Sequence, residues 1–91
     1  MANYKIWKYP MRERTGVIHM PPGAKILSCQ MQGSYPCFWM LVDVDNDMPT
    51  IPRQFIGIGT GDEIPYPLNT LDFIATIQAK DLVFHIFEIS L

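Results

Sequence analysis

The sequence predicts an all-β chain: a small antiparallel sandwich, or a partly open barrel, of about seven strands. Three observations carry that expectation. Short apolar–polar alternations of period two, rich in aromatic and β-branched residues, are separated by Gly, Pro, Asn and Asp clusters. No segment shows a capped 3.6-residue period, and no internal repeat is visible. The run Cys37–Val44 (CFWMLVDV) is apolar on both alternating faces, which predicts a central strand covered on both sides. With 91 residues the chain has material for one modest core, so residues 1–91 read as a single domain.

In order along the chain, Tyr4–Tyr9 (YKIWKY) alternates and is closed by Pro10. Val17–Met20 is a short second strand ended by Pro21-Pro22-Gly23, since neither proline can donate to a ladder. Ala24–Gln32 is a third, with Ile26, Ser28 and Gln30 expected on one face and Leu27, Cys29 and Met31 on the other. Gly33-Ser34 turns it into Cys37–Val44 as a hairpin. Asp45–Pro52 is a loop by composition, and Arg53–Gly59 resumes as a strand. Gly61–Asn69 is irregular. Leu71–Gln78 and Leu82–Ile89 form the last two strands around a turn at Ala79–Asp81. In Leu82–Ile89, Leu82, Phe84, Ile86 and Glu88 oppose Val83, His85, Phe87 and Ile89.

Charged residues make up 18% of the chain, against about 25% in ordinary soluble domains, and this favours association with a protein partner or a second copy. The net charge of −2 comes without a basic stripe, so nucleic acid is not an expected partner. No run approaches the ~18 apolar residues of a membrane span. Asn3, Lys5 and Lys8 in MANYKIWKYP, with no apolar stretch behind them, do not read as a secretory signal; a cytoplasmic location is expected. Cys29 and Cys37 lie nearly opposite each other in a hairpin centred on Gly33. A reducing compartment predicts buried free thiols there, and two cysteines without histidine partners make no zinc site.

Each motif with a chemical reading also has a plainer one. Asp43, Asp45 and Asp47 take the first, third and fifth positions of a calcium-type loop. Met48 replaces its turn glycine and Gln54 its bidentate glutamate, so an acidic solvated loop is expected. Gly57-Ile-Gly59-Thr-Gly61 resembles a phosphate cradle, but Asp62, Glu63 and Pro65 follow where a helix N-terminus belongs. His19 and His85 are the general-base candidates of a hydrolase. Neither has a nucleophile and an orienting carboxylate at readable spacing, so no catalytic residue, metal or cofactor is assigned.

Trp7, Tyr9, Tyr35 and Tyr66, with Arg12, Arg14 and Arg53, are the candidate binding residues. Their types suit a protein interface, or the stacking and clamping of a nucleotide. Leu82–Ile89, apolar on both faces and near the C-terminus, is expected to be a sheet edge. Its Val83, Phe87 and Ile89 are the candidate contacts of a two-fold homodimer.

The strings IWKYP (Ile6–Pro10), MPPGAKILSCQMQ (Met20–Gln32), PCFWMLVD (Pro36–Asp43), GTG (Gly59–Gly61), FIATIQ (Phe73–Gln78) and LVFHIFE (Leu82–Glu88) resemble, in order, a family of short bacteriophage and prophage proteins known as a domain of unknown function. The resemblance implies a phage-encoded protein of the host cytoplasm and carries over no catalytic residue. It leads to the expectation of a non-enzymatic protein that occupies a host protein, with host-defence machinery as the target. The alternative is an oligomeric sponge for a nucleotide signal.

Overall fold

Alternation and proline punctuation produce seven strands in a computed structural model that describes residues 3–90. They are β1 (Tyr4–Pro10), β2 (Thr15–Met20), β3 (Lys25–Gln32), β4 (Tyr35–Asp43), β5 (Ile51–Gly59), β6 (Leu71–Ala79) and β7 (Leu82–Ile89), with one 3-10 turn at Leu68–Thr70. All ladders are antiparallel. One sheet has the order β1-β4-β3 and the other β2-β5-β7-β6. The result is a small sandwich, the first of the two expected architectures, and not a closed barrel.

The core forms where the inner faces meet. Phe38 from β4 and Phe55 from β5 stack at 4.4 Å between ring centroids, tilted by 34°. Met20, Met40, Val42 and Ile86 fill the space around them and are fully buried. Burying a side chain of this size contributes about 1.5–3 kcal/mol.

The central place of β4 is as the alternation predicts, but its cover is one-sided. Phe38, Met40 and Val42 face the core, whereas Trp39 and Leu41 face outward and are only half-buried. A three-stranded sheet in a two-layer fold has no further layer on that side, and of the outward-facing residues of β4 only the smaller Cys37 is buried, at 3% exposure. The second sheet differs, because the segment before β6 folds back over its outer face. Tyr66 and Leu71 pack on Ile56, Ile58 and Ile89 there, and the Ser90 amide donates to the Thr70 carbonyl at 2.7 Å.

Several register expectations are corrected. A bulge between Ile26 and Ser28 leaves Leu27 unpaired, so Ile26 joins Cys29 and Met31 on the inner face and Ser28 and Gln30 face outward. Cys29 pairs with Phe38, and Cys37 with Gln30, so the cysteines are one position out of register and on opposite faces. Both are buried free thiols. β5 begins at Ile51, two residues earlier than expected. Pro52 fits because its missing amide would point past the end of the β5–β7 ladder, which starts at Gln54. Finally, β7 is no edge: it lies between β5 and β6. The edges are β1, β3, β2 and β6.

Candidate functional site

A cleft of about 440 Å³ opens at one end of the sandwich. It forms where the chain crosses between sheets from β1 to β2. The connection Met11–Arg14 makes one wall, and Ser34 of the β3–β4 turn with Tyr35 and Pro36 at the start of β4 makes the other. The Met11 amide donates to the Pro36 carbonyl at 2.8 Å and holds the walls together. Gly57, Phe84 and Ile86 on the inner faces of β5 and β7 form the floor. Gly57 keeps that floor low, since a Cβ there would lie 3.3 Å from the Ile86 Cδ1.

The rim brings together three of the residues expected to bind. The Arg12 guanidinium sits 5.8 Å from the centre of the Tyr35 ring, a cation–π arrangement. Arg14 is tied down: Nε donates to the Gly57 carbonyl at 2.9 Å and Nη2 to Asp62 Oδ2 at 2.7 Å. That pair is open to solvent, so it orients Arg14 more than it stabilises the fold. Like Gly57, the other two glycines that suggested a phosphate cradle serve this geometry. Gly61 takes φ +90°, and a Cβ on Gly59 would lie 2.7 Å from Asp62 Oδ2. The carboxylate of Asp62 therefore occupies the space a cradled anion needs.

The other expected binding residues lie elsewhere. Trp7 is partly exposed on the edge strand β1, on the core-facing side. Tyr9 packs against the core, and burial raises its phenol above its ordinary value. Tyr66 covers the outer face of the second sheet. Arg53 sits at the opposite end of the sandwich, locked to Glu88 through Nε–Oε2 and Nη2–Oε1, both 2.7 Å, with Nη1 on the Ala24 carbonyl. It is a structural clamp and not an available cation. Of the expected self-association residues, Ile89 is buried under Tyr66, Phe87 meets Phe73 edge-on at 5.5 Å, and Val83 is half-buried. With β7 inside its sheet, the edge argument for these three falls.

His85 has both ring nitrogens on neutral hydroxyls, Thr60 Oγ1 at 2.9 Å and Thr76 Oγ1 at 3.0 Å. Among the described residues no carboxylate orients either hydroxyl, so their geometry supplies no triad. His19 is exposed on β2. In the acidic loop, the carboxylate of Asp43 accepts from the Asp45 amide and Asn46 Oδ1 from the Met48 amide, which closes the loop on itself. Among the described residues no cluster of His, Cys, Asp and Glu suits a metal ion, and no helix is long and apolar enough to cross a membrane.

Sequence reading supplied the rim and missed the floor. Phe84 and Ile86 were legible as one apolar face, but nothing local indicates that this face runs beneath the β1–β2 crossing.

Fold and cleft together define a two-sheet β-sandwich with a concave, apolar-floored, Arg- and Tyr-rimmed end. The chain belongs to the domain of unknown function DUF7352, whose family model matches residues 2–90. No curated protein and no solved structure gave a match.

Proposed function

We propose that the protein works by binding: a phage-encoded protein of the host cytoplasm that occupies a host protein, in the setting of host defence that its resemblance implies. The observation that carries this reading is the end cleft. It offers an apolar floor with Arg12 and Tyr35 exposed on its rim, the residue types that anchor protein interfaces. The partner suited to it presents an apolar side chain flanked by a carboxylate, which Arg12 meets.

Charge favours a protein over the alternative of a nucleotide signal. Arg14 is already paired with Asp62, and Glu13 lines the same cleft, so two carboxylates offset the charge of the two guanidiniums. Such a neutral rim gives a polyphosphate little attraction. The resemblance supplies the phage setting and the family supplies no enzymology, so the non-enzymatic part of the reading rests on the chemistry of the histidines described above.

The test is affinity capture from host lysate with wild-type protein, Arg12→Glu and Tyr35→Ala, beside mass spectrometry of small molecules released on denaturation. A protein held by the wild type and lost from both rim variants, with their folds intact, is the expected result. A co-purifying nucleotide, or capture indifferent to both substitutions, refutes it.

A further inference from the structure

The edge strand β1 carries an unused hydrogen-bonding row whose phase can be read from its ends. The Val44 amide donates to the Asn3 carbonyl at 2.9 Å, and the Met11 amide to the Pro36 carbonyl at 2.8 Å. Both pairs continue the β1–β4 register, in which Tyr4 faces Asp43 and Pro10 faces Cys37. In an antiparallel ladder, bonded pairs alternate with non-bonded pairs. The odd-numbered residues of β1 therefore turn their amides and carbonyls toward β4. Tyr4, Ile6 and Lys8 turn theirs outward, away from the sheet. The side chains beside this row are apolar and exposed: Tyr4 at 59%, Ile6 at 58% and Trp7 at 43%.

We infer that β1 pairs antiparallel with β1 of a second copy about a two-fold axis at Ile6, joining the three-stranded sheets of two molecules into one of six strands. The inference rests on the β1 edge and not on the cleft.

The register follows from the sequence YKIWKYP. A two-fold axis perpendicular to the sheet keeps each residue on its own face, so it must pass at a residue. An axis at Lys5 or Lys8 sets like charges directly opposite each other, which is unfavourable. An axis at Trp7 opposes Tyr4 to Pro10, which has no amide to give. At Ile6 these faults vanish. Tyr4 opposes the second copy's Lys8, Ile6 opposes its equivalent, and every outward amide and carbonyl of Tyr4, Ile6 and Lys8 finds a partner. On the other face Lys5 opposes the second copy's Trp7, and both lysines thus lie across from aromatic rings. Lysines on an edge ordinarily discourage pairing; in this register none meets another.

The other edges fit a second copy less well. β3 is interrupted by its bulge at Leu27, and β6 by a second one between Phe73 and Ala75. β2 presents Thr15, Val17 and His19 outward by the same phase argument, since the Gly57 amide donates to Arg14, but Val17 is its one large exposed apolar side chain.

Light scattering at about 100 µM, enough to populate a dimer of micromolar affinity, tests this. Wild type and Val17→Pro should both show twice the 10.5 kDa chain mass. Ile6→Pro, which removes an outward amide and no β1–β4 bond, and Ile6→Lys, which sets two ammonium groups at the axis, should show the single-chain mass. If Ile6→Pro loses the native circular dichroism, Ile6→Lys decides alone. Under oxidation Ile6→Cys should cross-link to its equivalent and Lys8→Cys should not. A monomeric wild type, a dimer that survives Ile6→Lys, or one split by Val17→Pro and spared by the Ile6 variants overturns the inference. Mass moves with Ile6 and partner capture with Arg12, so the two proposals fail separately.

Discussion

The clamp between Arg53 and Glu88 gives the sharpest prediction about what holds the sandwich shut. Arg53 leaves the inner face of β5 and Glu88 that of β7, and their side chains retain only 17% and 18% of their exposure. Two parallel charge-assisted bonds join them, and a third runs from Arg53 to the Ala24 carbonyl at the start of β3. Each charge-assisted bond is worth roughly 1.5–3 kcal/mol where water is scarce, so the pair represents about 3–6 kcal/mol gross. Residual solvent access and the bond Arg53 keeps to Ala24 reduce the expected loss for Glu88→Ala to about 2–4 kcal/mol. For a domain of this size that lowers the thermal midpoint by roughly 10–25 °C. Replacing both partners, as in Arg53→Met with Glu88→Leu, removes the stranded charge and should cost well under the sum of the single changes. Urea titrations of the four proteins at constant pH measure the coupling. A coupling below about 0.5 kcal/mol, the value of an exposed pair, would refute the clamp.

Two further outcomes follow from the one-sided cover of β4 and from the buried thiols. Phe38→Ala should cost about 3–5 kcal/mol, while Trp39→Ala, on the half-buried outer face, should cost only about 1–2 kcal/mol; equal losses in denaturant titration would mean that the outer face is covered after all. Burial, and secondarily the nearby Cys37, push the Cys29 thiol up from 9.0 to about 11. The native state then holds a proton that the unfolded chain releases, so stability should fall as pH rises from about 9 to 11, by at most ~1.4 kcal/mol per unit. Cys29→Ala should flatten that slope, and in the native protein thiol reagents should react slowly with both cysteines.

The strands themselves were legible because Pro and Gly punctuate alternating runs, and the burial of Phe38, Met40 and Val42 follows from their two-residue spacing. Strand order was not. β5 inserts between β2 and β7, and no local pattern records which distant strand supplies a ladder; this is why Leu82–Ile89 read as an edge. The bulge at Leu27 was hidden for a related reason: an extra leucine in an apolar run looks like one more alternation until the partner strand is known. Arg12, Arg14 and Tyr35 were identifiable by residue type and by their place in connections and turns. Arg53 was misread because the carboxylate that claims it lies 35 residues away.

The unpaired Leu27 bears on how this chain tolerates changes in length. Ile26 already faces Met40 and Ser28 already faces Trp39, with Leu27 alone lacking a counterpart. A single-codon deletion at this position would splice two correctly registered halves into an unbroken ladder, leaving every other inward residue of β3 where it stands. The same excision one strand over, at Leu41, would invert one side of the cut and carry core residues such as Met40 or Val42 toward solvent. Alignments of the family should therefore admit a one-residue gap at Leu27 and none within Phe38–Val42.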